Sequence, residues 1–424
     1  MSAVKEYHPQ TSGLGIYVHF PWCLKKCPYC DFLSVAVTSE AHSGTHSALE
    51  ARALLPHARY ADSVLAELDA RLEGLQKPWP RLSSIFFGGG TPSLWEPTEL
   101  ARVVSGIFER FSVSAEDSNI EVSVECNPTS FDFDHARKLL HAQVNRVSIG
   151  VQSLKNDSLA FLGRLHDPEG ALRAVHGAVR AEVPRVSADL IFGVYKQSPE
   201  AAAHDVAVVA ETGVTHVSAY ALTIEPATRF GALHAKGKLP LLEESQVADS
   251  FEAVEKTLEN KGFEHYEISN FALPGQYSQH NVGYWLGRDY LGLGTGAFGT
   301  VTLVKERLRY RNVLSPERYM NLWSDENGAR KTVSFAPFME NIIDREVITP
   351  EISHQESLML GLRTQFGVDL EEIKELRGGQ PLTPERATTI ERLKSEGKLT
   401  QNGARLTLNK KHWLFADGII RDII

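Results

Sequence analysis

Between residues 14 and about 222, short β-branched runs alternate with longer stretches whose apolar residues recur every three or four positions. The runs at 16–19, 85–87, 121–125, 146–150, 186–191 and 216–221 predict strands, and segments such as 60–75 and 97–111 predict amphipathic helices. Repeated βα units of this kind build a parallel sheet covered by helices. Six of them make an open, partial TIM-like barrel, and its chemistry is expected at the C-terminal ends of the strands. The expected fold class is therefore α/β, with the barrel core over 1–239.

Residues 33–59 break the alternation. Ser, Ala and Thr are scattered among His42, His46 and His57 with no clear period, which predicts a mobile surface loop or lid rather than a metal site. Residues 240–337 read as an extension of the barrel, with a helix over 244–260, a strand over 263–269 and a glycine-rich run over 292–299. From 338 to 424 the order is helix 384–396, a turn at Gly397, strands 398–400 and 405–408 around Gly403, and a last helix. That order predicts a small winged-helix-like α+β module. Its acidic and basic residues are about balanced, so a packing or lid role is expected rather than DNA binding.

Composition narrows the function classes. The chain has 424 residues, 42% hydrophobic and 23% charged, with a net charge of −9. No basic run is available to neutralise phosphates, so nucleic acid is not an expected partner. No segment approaches the roughly 18 apolar residues of a membrane helix, and the polar start has no signal-peptide core, so a cytoplasmic location is expected. Of four cysteines, three are bunched, which is not a disulfide framework.

Those three, Cys23, Cys27 and Cys30, follow the first strand at C-x3-C-x2-C spacing. They can hold three corners of a [4Fe–4S] cluster and leave the fourth iron open to a small molecule. Structural zinc is the alternative, with His19 or Asp31 closing a four-ligand shell. Other strand ends carry further candidates. After the second strand, Gly88-Gly89-Gly90-Thr91-Pro92 would let backbone amides approach a ligand. Glu125 closes the third strand, Gln152 follows the fourth, Arg164 lies in the next loop, and Asp189 ends the fifth. Together they favour one shared pocket. Further on, His280, Tyr284 and Trp285 can supply an imidazole for heme iron and flat faces for a porphyrin, but taken alone they read better as a hydrogen-bonded structural histidine beside core aromatics.

The runs 17–23, 27–32, 88–93, 125–128, 150–152, 222–226 and 280–285 resemble the radical S-adenosylmethionine superfamily. Within it they are most similar to the branch containing oxygen-independent coproporphyrinogen III oxidase and the heme chaperone HemW. The resemblance covers nearly the whole chain. It implies that Cys23, Cys27 and Cys30 bind a [4Fe–4S] cluster whose open iron is chelated by S-adenosylmethionine, which one-electron reduction can cleave to a 5′-deoxyadenosyl radical. It implies that Tyr17, Gly90 and Glu125 contact that cofactor. Thr91, Gln152, Arg164, Asp189 and Ala221 align with positions that hold a second S-adenosylmethionine in the oxidase.

Two departures separate the branches. Phe32 stands where the oxidase has a fourth cysteine, and only 22 residues precede Cys23. The run His280-Asn-x-x-Tyr284-Trp285 is of the HemW type, which implies heme binding at His280. Phe298 stands where relatives commonly have histidine, which removes a second iron ligand. The expectation is a heme carrier that takes an electron from a cellular donor and passes heme to an acceptor protein, a membrane-associated one included. The alternative is an enzyme that decarboxylates coproporphyrinogen III.

Overall fold

Strand β1, Leu14–Phe20, buries every side chain except that of Tyr17, as expected of a strand covered on both faces. Five more strands follow: β2 (Leu82–Gly89), β3 (Glu121–Cys126), β4 (Arg146–Gln152), β5 (Arg185–Phe192) and β6 (His216–Ala221). Each lies parallel beside its predecessor. The computed structural model in which they are seen describes residues 13–37, 47–113, 120–304, 306–325, 329–333, 339, 342–376, 379 and 381–424.

The crossovers carry helices α1 (His57–Gly74), α2 (Pro97–Arg110), α3 (Phe133–His141), α4 (Pro168–Arg180) and α5 (Pro199–Ala210). Local chemistry sets where they begin. Asp167 and Ser198 cap α4 and α5 by accepting from the amides of Gly170 and Ala201, and each is followed by a proline at the first helical position.

Laid flat, six parallel strands would span about 24 Å at the usual ~4.8 Å spacing. Yet Tyr17 on β1 and Tyr220 on β6 line one chamber of about 220 Å³. The sheet therefore curls around an interior. Its inward face is unusually polar, because Glu121, Ser123 and Glu125 alternate along β3 and Arg146 and Ser148 along β4.

The strands between residues 240 and 348 do not build a separate sheet. After helix α6 (Glu244–Asn260), strands β7 (Glu264–Glu267) and β8 (Asn270–Ala272) form a hairpin antiparallel to β6. Helix α7 (Gln279–Trp285) then leads to β9 (Tyr290–Leu293), which pairs parallel with β1, Gly15 opposite Tyr290. Strands β10 (Phe298–Thr302), β11 (Arg307–Arg311) and β12 (Asp344–Ile348) continue antiparallel beyond it. The result is one twelve-stranded sheet with the barrel strands in its middle.

A buried polar network locks this extension onto α1. Glu67 accepts from Arg71, from Asn312 Nδ2 at 2.8 Å, from the Gly294 amide at 2.8 Å and from the Tyr319 hydroxyl at 2.6 Å. Both Glu67 and Arg71 are essentially inaccessible to solvent.

The stretch 33–59 is more regular than its composition led us to expect. Val35–Ala36 pairs with Trp22–Cys23, and a helix spans Ala48–Ala53, fixed by a reciprocal capping box between Ser47 and Glu50. The short length of these elements, two and six residues, explains why no period shows. His57 opens α1 and bonds the Arg52 carbonyl, whereas His42 and His46 lie outside the described residues.

At the C-terminal end, helices Pro350–Gly361 and Pro384–Ser395 pack with a three-stranded sheet and the last helix, Ala416–Ile423, around Leu358, Leu393, Leu406 and Trp413. The module joins the barrel through the hairpin: the Trp413 and His265 rings meet edge to face at 4.5 Å, and the Gln365 amide donates to the Tyr266 carbonyl.

Candidate functional site

The cysteine loop leaves β1 at its C-terminal end, as the barrel rule requires. The paired segments Trp22–Cys23 and Val35–Ala36 close its base. The Cys30 amide donates to the Cys27 carbonyl, and the Phe230 amide to the Pro28 carbonyl. Cys23 is buried, while Cys27 and Cys30 are half-buried.

The glycine run after β2 does something other than the expected cradling of a ligand by its amides. The Gly89 amide donates to Glu125 Oε2 at 3.0 Å, and those of Gly90 and Thr91 donate to the carbonyls of Phe20 and Trp22 at 2.7 and 2.8 Å. A Cβ on Gly90 would stand 2.5 Å from the Trp22 carbonyl oxygen. The missing side chain lets two backbones touch, and these amides hold the cysteine loop rather than a ligand.

These elements surround a cavity of about 410 Å³. Cys23, Cys27 and Cys30 lie on its wall with Gly90, Thr91, Glu125, Gln152, Arg164, Asp189 and Ala221. Of the eleven residues that the resemblance assigns to the cluster and to S-adenosylmethionine, all but Tyr17 share this cavity. Arg164 ties the cysteine loop to the strand ends: Nη1 reaches Cys27 Sγ at 3.5 Å, Nη2 donates to the Gly150 carbonyl at 3.1 Å, and Nε has no partner. Gln152 sits at a bulge between β4 and β5 with φ of 67°, a strained conformation that turns its side chain toward this wall.

The cavity wall sets the carboxylates of Glu125 and Asp189 beside the buried Arg164 guanidinium. Burial and the neighbouring Asp189 push the Glu125 carboxyl up to about 8, against the Gly89 amide. Burial pushes Asp189 up to about 6, although hydrogen bonds from Ser218 and Ser148 oppose it. Burial also raises the Cys23 thiol to about 11. Thiols in such a setting become ligands when a metal displaces the proton.

The donor set fits an iron–sulfur cluster better than zinc. Among the described residues, no three His, Cys, Asp or Glu side chains converge on one point suited to a single ion. His19 cannot close a zinc shell, because its Nδ1 meets the Tyr17 hydroxyl at 3.0 Å and its Nε2 the Leu33 carbonyl at 2.8 Å. A cubane binds thiolates at separate corners and needs no such convergence.

Tyr17 and His280 lie elsewhere. The Tyr17 ring is a layer beneath the cavity, beside Phe86 and His280, which stack on each other at 5.0 Å. His280 is 2% exposed, with Nδ1 2.8 Å from Ser84 Oγ and Nε2 2.9 Å from the Tyr284 hydroxyl. Burial lowers its pKa to about 4. With both ring nitrogens engaged inside the protein, His280 is not placed to ligate heme in this conformation.

Several wall residues escaped the sequence reading: Ser148, Tyr220 and Cys126 all face the cavity. The pair Arg146 and Glu121, 2.8 Å apart beneath it, was missed too. The alternation of polar residues along β3 and β4 is the signal that would have found Ser148 and this pair.

Known proteins place this architecture. The radical SAM superfamily profile matches residues 17–207, and the HemN C-terminal domain profile matches 348–415. The chain is 36% identical over 309 residues to the heme chaperone HemW of Escherichia coli (strain K12), covering 72% of this chain and 75% of that one. It is 32% identical over 413 residues to the heme chaperone HemW of Mycobacterium tuberculosis (strain ATCC 25618 / H37Rv), covering 97% and 94%. The solved structure of coproporphyrinogen III oxidase (HemN) from Escherichia coli shares the fold, with a TM-score of 0.72 at 20% identity over 98% of this chain and 91% of that chain. By this full-length similarity, the chain belongs to the HemW family of the radical S-adenosylmethionine superfamily.

Proposed function

We propose that this protein is a heme chaperone that carries a [4Fe–4S] cluster on Cys23, Cys27 and Cys30, takes S-adenosylmethionine in the adjoining cavity, and passes heme to an acceptor protein. The observation that carries the reading is the similarity to proteins named heme chaperone HemW over almost the full length of both chains. When bound, the cluster and S-adenosylmethionine supply one-electron chemistry at a sulfonium.

The chain's own residues have definable tasks. Gly90 and Thr91 fasten the cysteine loop to the barrel, and Arg164 orients Cys27. Glu125 and Asp189 answer the positive charge of S-adenosylmethionine, with Gln152 and Ala221 completing the wall. Tyr17 supports Glu125 from below through the Gly88 turn, where a Cβ would meet both side chains. His280 braces Tyr284, so heme ligation falls to another group. Phe32, at the rim and 58% exposed, occupies the position of the oxidase's fourth cysteine.

Anaerobic reconstitution followed by heme titration and by an assay for coproporphyrinogen decarboxylation tests this reading. Uptake of heme with transfer to apo-acceptor and no decarboxylation is the expected result. Sustained decarboxylation without heme uptake would overturn it in favour of the oxidase.

A further inference from the structure

Beneath the cluster cavity, toward the middle of the barrel, lies the smaller chamber of about 220 Å³. The two spaces share Phe32, Gly89, Glu125, Ser148, Asp189 and Tyr220. The floor is different, formed by Arg146, Ser187, His216, Ser278, Asn281 and Tyr284.

Arg146 is 2% exposed, and most of its guanidinium is spoken for. Nε donates to Glu121 Oε2 at 2.8 Å, and Nη2 donates to the carbonyls of Gln276 and Tyr277 at 2.8 and 2.9 Å. Nη1 has no acceptor among the described residues. A buried donor left this way is unfavourable, and an oxygen in the chamber would relieve it. At the roof, Asp189 accepts from Ser148 Oγ at 2.9 and 3.0 Å and from Ser218, both neutral donors, with the Arg164 cation on the cluster-cavity side. Arg146 and Ser148 are two positions apart on one face of β4, roughly 7 Å along the strand. A donor at the floor and a carboxylate at the roof therefore face each other across a space suited to a short molecule with one charge of each sign.

We propose that this chamber is a binding site for a small α-amino-acid zwitterion, its carboxylate on Arg146 Nη1 and its ammonium on Asp189. The rings of Phe86 and Tyr17 supply an apolar wall for the side chain. His280 is then a positioning residue, since it fixes the Tyr284 hydroxyl at the chamber's edge.

Calorimetric titration of the iron-free, full-length protein tests the site, because no iron is present to chelate the probe. L-alanine is expected to bind at least about tenfold more tightly than propionate, which lacks the ammonium, or ethylamine, which lacks the carboxylate. Asn281→Leu places an apolar side chain in the chamber without touching the Arg146 bonds, and it should abolish alanine binding while cluster loading stays at the parent level. Absence of binding by all three probes, which would mean a chamber filled by water alone, overturns the proposal. So does equal binding of propionate, or alanine binding that survives Asn281→Leu. None of these measurements involves heme, so failure here is separate from failure of the chaperone reading.

Discussion

At Gly90 a single methyl group decides whether the cysteine loop can form. Gly90→Ala would drive a Cβ to within 2.5 Å of the Trp22 oxygen and 2.9 Å of the Phe20 oxygen, both backbone atoms with little room to yield. We expect the variant to fold its barrel yet load markedly less iron and sulfide on reconstitution, with a loss of about 1–3 kcal/mol in chemical denaturation. Unchanged iron content would show that the loop tolerates separation from β2. The carboxylates give a second prediction at this scale. Asp189 and Glu125, raised to about 6 and about 8, must ionise to answer a cation. S-adenosylmethionine should therefore bind more tightly as pH rises from 6 to 8, and Asp189→Asn should flatten the lower part of that profile in equilibrium dialysis. The cysteines and the strand-end carboxylates were legible in the sequence because residue type and position alone mark them. The partners of the Gly89–Thr91 amides and of His280 were not, since hydrogen-bond direction is settled by tertiary neighbours such as Phe20, Ser84 and Tyr284.

Among the elements, α7 gathers His280, Tyr284 and Trp285 on one short helix whose histidine is hydrogen-bonded inside the protein. Glu121 accepts from the amides of Gln279 and His280 at its N-terminus, where a carboxylate complements the helix dipole. Burial pushes the Glu121 carboxyl up, but Arg146 and these two amides outweigh it and hold it below its usual value. His280→Ala should accordingly loosen this helix, seen as faster amide exchange over 279–285, while the Soret spectrum of bound heme keeps its parent form. A changed axial-ligand spectrum would return His280 to the heme iron. The six barrel strands were readable from their burial pattern, but β9 was not. Tyr290–Leu293 is four residues long and runs into a glycine-rich segment, and its pairing with β1 and β10 makes it a strand. At the α1 interface, Glu67→Gln removes the charge facing Arg71 in a dry setting, and a loss of about 3–5 kcal/mol is expected by urea denaturation.

For the whole molecule, buried titratable groups pull stability in opposite directions. His19, His135, His166 and His280 are each held down to about 4, chiefly by burial. Their unfolded forms bind protons first, so the stability they contribute is complete above about pH 6.5 and is lost as pH falls toward 4. Glu125, Glu267 and Asp189 are raised to about 8, 7 and 6, and their contribution is complete at low pH and lost as pH rises through those values. The ligand-free protein should show a maximum in thermal stability at about pH 6–7. Bound S-adenosylmethionine should extend the alkaline side, because it favours the ionised carboxylates. A melting profile that keeps rising to pH 9 without cofactor would contradict this balance.

The pairing of Gly15 with Tyr290 carries a consequence for the order of assembly. As the chain is synthesised, β1 emerges first but must wait for most of the protein before its second neighbour exists. Leu33, just past the last cluster cysteine, also lies where a Cβ on Gly296 would be, so the cysteine loop gains its outer support only when that late segment arrives. Contacts so distant in sequence close slowly. Under the proposed function, cluster insertion is then expected to follow synthesis rather than accompany it, with the thiols of a nascent chain exposed throughout the interval.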